Sequence, residues 1–211
     1  MSEGTAMDLG VARSYAKLFI LSICDFCEKV EIAGSIRRGK PKVHDIEIVA
    51  TPVFSTTEQV LIDGVKRETV NSLHMRMLRL RQDRIVTADR MRKDKHRDPF
   101  GERYYRIHYN LGDLKIPVDL FVVIPPAQWG TQLLIRTGSA AFSKWIVSQR
   151  INQGLHFKDG HLEHDVTGVI DTPTEESVFK ALRLPYVPPE QREMDEQGKP
   201  KWERLGNDWR G

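Results

Sequence analysis

Cysteine is scarce in this chain, which has 211 residues and only two cysteines, Cys24 and Cys27, in the segment CDFC. A zinc site would need a second pair of Cys or His ligands at a similar spacing, and the sequence has no second Cys pair. We therefore interpret the two residues as reduced thiols on an amphipathic helix. A redox-active CxxC motif is the alternative interpretation.

Long apolar runs are also missing, and no stretch has the length that a membrane-spanning helix needs. The first ten residues, MSEGTAMDLG, do not show a basic segment followed by an apolar one, so no secretory signal is predicted. Internal repeats are absent as well. We expect a monomeric, cytoplasmic protein that is not secreted and does not contact a membrane, with room for one catalytic domain and a small second one.

Positive and negative charges nearly balance over the whole chain, but they are unevenly distributed along the sequence. The net charge is +3, with 29% charged and 40% hydrophobic residues, as in ordinary globular proteins. Residues 76–106 contain eleven Lys or Arg and five Asp or Glu, a local net charge of +6 (11 − 5). Such an excess favours contact with nucleic-acid phosphates. The alternative is a solvated loop.

The first half of the chain predicts a helix followed by short strands. Apolar residues recur at helical spacing over 8–29, and 30–33 and 45–53 have strand character. The interval 57–84 is predicted to be mostly helical, and the charged interval 87–102 is predicted to be a loop.

The second half predicts paired strands, then helices. The alternating segments 103–111 and 115–124 favour one hairpin, and 127–153 favours one or two helices. A second hairpin is predicted at 155–163, followed by a helix over 172–182 with Thr172 as its N-cap. This order predicts an α+β fold with a mixed or antiparallel sheet.

Phosphate chemistry is indicated by the segment GSIRRGK, residues 34–40. It follows a predicted strand, so the backbone N–H groups at Gly34 and the hydroxyl of Ser35 could hold phosphate oxygens. The cations that follow, Arg38 among them, could neutralise a triphosphate.

Acidic residues follow the segment 34–40 within a few positions. Asp45 and Glu47 are two residues apart on a predicted strand, so both project to one face. Asp119 lies in an apolar strand, where a carboxylate is costly unless it is paired or bound to metal. If the two strands are neighbours, three carboxylates converge, and such a set can hold the two Mg²⁺ ions of a phosphoryl-transfer site.

Four segments together resemble the family X DNA polymerases, the DNA polymerase beta type. The resemblance extends from about residue 8 to 193 and is weakest over 53–100. The segments are, in chain order, GSIRRGKPKVHDIEIV, PVDLFVV, RTGSAAFSKWI and TPTEESVFKALRLPYVPPEQRE.

The resemblance implies a fold and a division of the chain. Residues 1–126 would form the catalytic nucleotidyltransferase palm, a mixed or antiparallel sheet flanked by helices. Residues 127–193 would form a small α/β thumb-like domain that contacts nucleotide and DNA, and 194–211 a polar tail. The implied activity is that of a DNA polymerase, which adds dNTPs to the 3′ hydroxyl of primer-template or gapped DNA in repair, with Mg²⁺ or Mn²⁺.

The resemblance also implies roles for the carboxylates. Asp45 and Glu47 would ligate both metal ions. Asp119 would ligate the catalytic ion near the primer 3′ hydroxyl and accept its proton. The family's second carboxylate is typically Asp, so Glu47 is one methylene longer than expected.

On the nucleotide side, the resemblance assigns Ser35 and Arg38 to the β- and γ-phosphates. Gly34 would let the backbone approach closely, and Thr137 and Gly138 would contact the sugar.

Departures from the family pattern leave the substrate open. Ile135 and Arg136 replace an aromatic pair that helps to exclude ribonucleotides, and Ser143 and Val147 stand where template contacts are expected. Arg136 could contact nucleotide or template, or be a solvated helix residue. Besides a templated polymerase, the alternatives are a nucleotidyltransferase that works without a template or on another acceptor, and a non-catalytic nucleic-acid-binding module.

Overall fold

A computed structural model of the chain describes residues 6–61, 64–89, 100–149 and 151–200. Most of the expected basic loop, residues 90–99, lies outside the described residues, as does the end of the polar tail, 201–211. No helix in the described part is long and apolar enough to cross a membrane.

The elements alternate between helix and strand. The helices are α1 Leu9–Ile23, α2 Gly34–Arg37, α3 Ser72–Gln82, α4 Trp129–Thr137, α5 Ala140–Val147 and α6 Glu175–Ala181, with 3-10 turns at Cys24–Phe26, Ile151–Gln153 and Pro189–Gln191. The strands are β1 Met7–Asp8, β2 Cys27–Ile32, β3 Lys42–Val43, β4 Ile46–Pro52, β5 Phe54–Leu61, β6 Gly64–Asn71, β7 Val86–Ala88, β8 Phe100–Gly101, β9 Tyr104–Leu111, β10 Leu114–Val122, β11 Leu155–Lys158, β12 His161–His164 and β13 Gly168–Ile170.

The centre is a mixed sheet in the order β2-β4-β10-β9-β7, with β8 paired to β9. β4 and β10 are parallel, whereas β2 and β9 run antiparallel to their neighbours. Alternate strand residues face the apolar stripes of α1 and α3, which explains the core on this side. Its members include Ala16, Phe19, Ile46, Ile48, Leu73, Leu80, Tyr105, Ile107 and Leu120. The predicted α+β class with a mixed sheet is confirmed.

The other face of the sheet receives the C-terminal half of the chain. Val49 and Phe121, which point away from the first core, pack with Leu133 of α4. A further core lies entirely after residue 133 and joins α4, α5 and α6 to the sheet β11-β12-β13. The face of β4 and β10 that carries Val49 and Phe121 therefore lies between the two halves of the chain.

The helix predicted over 57–84 was wrong for its first part. Residues up to Asn71 form the antiparallel hairpin β5–β6, and α3 begins at Ser72, where the Asn71 side chain accepts a hydrogen bond from the His74 N–H at 3.0 Å. The reason lies in the β-branched Thr and Val residues of this interval, which favour strands over helices.

Two helix boundaries also differ from expectation. The first helix ends at Ile23, and β2 already begins at Cys27. The last helix is capped by Thr174, which exchanges hydrogen bonds with Ser177, and not by Thr172. Thr172 is buried and bonds to Gln128 instead. The hairpins predicted over 103–124 and 155–163 are confirmed.

The two cysteines are free thiols. Burial, together with the neighbouring Cys24, raises the pKa of Cys27 to about 12. A redox-active CxxC motif requires a lowered thiol pKa, so the environment favours the interpretation as reduced thiols.

Candidate active site

The carboxylate-bearing strands are direct neighbours, as the site hypothesis requires. In the parallel ladder, Glu47 on β4 is paired with Asp119 on β10, and Ile46 with Val118. Asp45 immediately precedes β4 and is half-buried, like Glu47, while Asp119 is only 8% exposed. Three acidic side chains from two interior strands are thus brought together on the sheet face that carries Val49 and Phe121, and this group is called the carboxylate edge below.

Glu47 shows the electrostatic consequence of this crowding. Its burial, and then the charges of Asp45 and Asp119, raise its pKa to about 7, against the opposing effect of Arg38 and Arg136. Burial and like charges both disfavour the ionised form of a carboxyl group. Burial is the larger cause of the raised pKa of Glu47, and the two neighbouring acids add to it.

Gly34 makes room for that carboxylate. Its φ is +59°, and a Cβ atom built on it would lie 1.8 Å from Oε2 of Glu47. Only glycine combines this backbone conformation with so close an approach. In the structure the close contact of Gly34 is with Glu47, while its expected role toward a nucleotide stays a prediction.

Asp119 is held by two side chains of the adjacent strand β9. The hydroxyl of Tyr104 donates to Oδ1 at 2.9 Å, and Nη2 of Arg106 lies 3.4 Å from Oδ2. Burial, followed by the charge and hydrogen bond of Asp119, raises the pKa of Tyr104 to about 12, so its hydroxyl remains a donor. These contacts allow a carboxylate to be buried in an apolar strand.

Whether a metal ion could bind beside these carboxylates depends on the donor atoms present and on their arrangement. Carboxylate oxygens of the kind grouped here are the ligands that Mg²⁺ prefers. Across the described ranges, however, no group of three or more His, Cys, Asp or Glu is gathered in a way that could hold a metal ion. The oxygens of Asp119 are directed toward Tyr104 and Arg106.

The turn after β2 forms α2 and presents Ser35 beside this edge. The Ser35 hydroxyl oxygen is buried and has no hydrogen-bond partner among the residues that the structure describes. A buried hydroxyl without a partner is uncommon in proteins, and a bound ligand is one explanation. This orphaned atom is the observation that best fits the predicted phosphate role of Ser35.

Arg38, predicted to bind phosphate, is engaged by the C-terminal half. Its Nε donates to Oε1 of Glu193 at 2.9 Å, and its Nη1 donates to the carbonyl oxygen of Thr137 at 2.6 Å. Lys40 also reaches Oε1 of Glu193, at 2.8 Å. The cations of the turn are therefore already paired with a carboxylate of this chain.

Arg37 anchors the same turn to α6. Its guanidinium makes a two-pronged contact with Glu175, at 2.8 and 2.7 Å, and donates to Oγ1 of Thr137 at 2.8 Å. Glu175 also receives a hydrogen bond from Arg192, whose side chain is fully buried. Burial opposes the charge of Glu175, but the hydrogen bonds and charges of the two arginines outweigh it and lower the pKa of Glu175.

Sequence reasoning missed this ion network. No role was assigned to Glu175, Arg192 or Glu193, and Arg37 was counted only among the cations of the segment 34–40. No local pattern could reveal a pair such as Arg37 and Glu175, which are 138 residues apart. The acidic residue after Thr-Pro-Thr was the one available signal.

Thr137 and Gly138, predicted to contact the sugar, lie where α4 ends. Thr137 is buried, and a Cβ atom on Gly138 would come within 2.4 Å of Phe142. The Ser143 hydroxyl donates to the Ile135 carbonyl at 2.7 Å. These contacts shape the α4–α5 corner, and the sugar contacts stay a prediction.

Arg136 is not a solvated helix residue. Its guanidinium lies 4.0 Å from the centroid of the Phe121 ring, which is stacked on Tyr104 at 5.0 Å. A cation over an aromatic face is attracted by the ring. Its charge also lowers the pKa of Glu47, so Arg136 belongs to the carboxylate edge.

The described arginines of the basic interval 76–106 are largely engaged within the protein. Arg76 donates to the Ser22 carbonyl, Arg81 lies over Phe100, and Arg103 donates to two carbonyl groups. Contact of this interval with DNA phosphates stays a prediction.

Two comparisons with known proteins bear on the site. Residues 132–193 match the family description "DNA polymerase beta thumb". Over 179 residues the chain is 26% identical to DNA polymerase lambda of Rattus norvegicus, an alignment that covers 76% of this chain and 28% of that protein. The chain thus spans less than a third of the length of this curated relative.

Proposed function

We propose that this chain, a family X DNA polymerase-like protein, transfers nucleotides from dNTPs to the 3′ hydroxyl of a DNA primer. The observation that carries the proposal is the register of β4 and β10, which places Glu47 beside Asp119. Glu47 has a raised pKa, and the hydroxyl of Ser35, which follows the glycine packed against Glu47, is buried without a partner among the described residues. Short-gap filling in DNA repair is the proposed context.

In this proposal Asp45, Glu47 and Asp119 would hold Mg²⁺, or Mn²⁺ in its place. The bound ions would neutralise negative charge on the reacting phosphate oxygens and favour ionisation of the primer hydroxyl. The raised pKa of Glu47 supports this assignment, because a group of acids that repel one another is a natural place for an added cation.

The chain's own side chains position the reactants. Ser35 and Arg38 hold the β- and γ-phosphates, and Arg136, Thr137 and Gly138 border the nucleotide. The primer O3′ forms a bond to the α-phosphorus while the bond to the β-phosphate oxygen breaks and pyrophosphate leaves.

Proton transfer falls to the third carboxylate. Asp119 accepts the hydroxyl proton of the primer. Tyr104 and Arg106 fix the orientation of its carboxylate, because each contacts a different oxygen.

We further propose that 1–126 acts as the catalytic unit, 127–193 as the thumb and 194–211 as a tail. The separate core behind α4 supports this division. The position of the carboxylate edge between the two halves agrees with a nucleotide bound there.

Single-nucleotide extension of a labelled primer tests the proposal. Gapped, recessed and single-stranded DNA would be supplied with each dNTP or rNTP, with Mg²⁺ or Mn²⁺, and with Asp45→Ala protein as the control. Addition that follows the template base is expected. No addition to any DNA would contradict the proposal.

A second candidate is template-independent transfer, and one observation favours it. Ser143, expected on the template side, uses its hydroxyl on the Ile135 carbonyl. Equal addition to single-stranded and gapped DNA in the same assay would select this candidate over a templated polymerase.

A further inference from the structure

One carboxylate lies among the cations of the α2 turn. Oε1 of Glu193 is 2.9 Å from Nε of Arg38 and 2.8 Å from Nζ of Lys40. The side chains of Arg38 and Glu193 are 11% and 18% exposed, so this is not a contact between freely moving surface groups. Two of the three cations that follow Ser35 in the turn, Arg38 and Lys40, are thereby paired with a carboxylate of the same chain.

A firmly packed segment delivers Glu193 to this position. The preceding residue, Arg192, is fully buried, bonds to Glu175 and accepts a hydrogen bond on its carbonyl from the Ser139 N–H at 3.2 Å. The segment Pro188–Glu193 therefore has a fixed course. The carboxylate can change partners by side-chain rotation, without release of the backbone.

Glu193 is an anion at neutral pH. Burial opposes its charge, but the hydrogen bond from Lys40 and the charges of Arg38 and Lys40 outweigh burial and lower the pKa of Glu193. An anion held by two cations has the chemistry that a phosphate oxygen would have in the same place.

Unlike the two cations, the hydroxyl of Ser35 in the same turn has no partner. It is buried and makes no hydrogen bond within the described part of the chain. A polyphosphate has enough oxygens to meet Ser35, Arg38 and Lys40 together, whereas one carboxylate oxygen meets only the two cations. An anion bound to Nε of Arg38 and Nζ of Lys40 would compete with Glu193 for these two atoms.

We propose that Glu193 is an internal competitor for the polyphosphate part of the substrate, so that a triphosphate binds only by displacing its carboxylate from Arg38 and Lys40. The inference deepens the proposed function and rests on it for the identity of the site. The intrinsic affinity of the turn is reduced by the fraction of molecules in which Glu193 occupies it.

Titration calorimetry with inorganic tripolyphosphate in EDTA tests this competition without metal or catalysis. We expect Glu193→Gln to bind tripolyphosphate roughly fivefold more tightly than the wild type, because the amide keeps an acceptor for Arg38 but loses the charge. Glu190→Gln is the matched control, since it removes the same charge from an exposed residue of the same segment. Its affinity is expected to equal that of the wild type.

An unchanged or weaker affinity of Glu193→Gln would overturn the proposal, since a residue that merely positions Arg38 would weaken binding when altered. Equal tightening by Glu190→Gln would overturn it as well. If Glu193→Gln does not fold, Glu193→Asp serves instead, and its shorter side chain should also tighten binding.

The result is separable from the proposed function. Tighter binding by the variant without primer extension by the wild type would contradict nucleotidyl transfer to DNA and keep the competition. Extension by the wild type with no tripolyphosphate bound by either protein would keep the transfer and overturn the competition.

Discussion

The buried acid Glu175 and the half-buried acid Glu47 have opposite surroundings. Glu175 is 4% exposed and lies between Arg37 and Arg192, whose hydrogen bonds and charges lower its pKa although burial opposes this. Glu47 is also withdrawn from water, but its burial and two neighbouring acids raise its pKa to about 7.

The difference separates a carboxylate whose ionised form the protein stabilises from one whose ionised form the protein disfavours. Around Glu175 the chain supplies the complete set of partners, as a buried ion must have if it is not to destabilise the protein. Around Glu47 the opposing charges of Arg38 and Arg136 are insufficient. A carboxylate edge of this kind agrees with a cation that comes from outside the chain.

The largest effect is expected from removal of the buried carboxylate next to Glu47. Asp119→Ala should reduce primer extension by at least ~10²–10³-fold, the order seen when one group that stabilises the transition state is lost. Initial rates on gapped DNA provide the measurement. Asp113→Ala, in the exposed β9–β10 turn, is the control and should retain its activity. Full activity of Asp119→Ala would remove the carboxylate edge from the mechanism.

Removing the carboxylate that Arg37 and Arg192 share should lower the stability of the protein. Glu175→Gln is expected to lower the free energy of unfolding by about 3 kcal/mol at pH 7, because it leaves two arginines without their shared anion. Urea denaturation measures this, with the exposed Glu176→Gln as the control.

The same network predicts a pH dependence. Because the folded pKa of Glu175 is lowered, its contribution to stability is present above its unfolded value of 4.5 and is lost as the pH falls through the folded pKa. The difference between wild type and Glu175→Gln should therefore shrink below about pH 4.5. A difference that does not change with pH would contradict the assigned role of the ion pairs.

A pair of glycines sharpens the account of the carboxylate edge. Gly34 and Gly39 have φ values of +59° and +72°, but only Gly34 has an atom of Glu47 where a Cβ would be. Alanine at either position has the same conformational penalty, so Gly34→Ala should be the less stable variant by about 1–3 kcal/mol. It should also impair extension, while Gly39→Ala should not. Equal melting temperatures of the two variants would show that Glu47 moves aside freely.

The smallest expected effect concerns the acid with the raised pKa. The folded protein binds the proton of Glu47 more tightly than the unfolded chain, so rising pH lowers stability between 4.5 and about 7. In EDTA, Glu47→Gln should be more stable than the wild type at pH 8, by of order 1 kcal/mol, and this advantage should disappear near pH 4. Thermal unfolding at both pH values measures it. A destabilised variant at pH 8 would mean that the ionised carboxylate is already well compensated.

The sequence was sufficient for the carboxylate strands. Alternating residue types over 45–53 and 115–124 indicated two strands that carry Asp45, Glu47 and Asp119. The structure shows that these two strands are adjacent. The sequence was insufficient for 57–71, because its pattern is compatible with both helical spacing and strand alternation. In the folded protein this interval belongs to the antiparallel pair β5–β6.

The ion pairs of the α2 turn were beyond sequence reasoning for another reason. Arg37 and Arg38 are consecutive, yet they reach Glu175 and Glu193 on separate parts of the C-terminal half. Such contacts depend on how two halves of the chain pack, which no local pattern records. The same packing placed Arg136 over Phe121, where a solvated residue had been an open alternative.

The parallel pairing of β4 with β10 has a consequence for the order in which the protein folds. Glu47 and Asp119 are 72 residues apart (119 − 47), whereas β9 and β10 are joined by a short turn. Contacts that close long loops form later than local ones. We therefore expect the β9–β10 hairpin to form early and to dock onto β4 late. The acidic edge would be completed only when most of the molecule is already folded, so that a partly synthesised chain has no such edge.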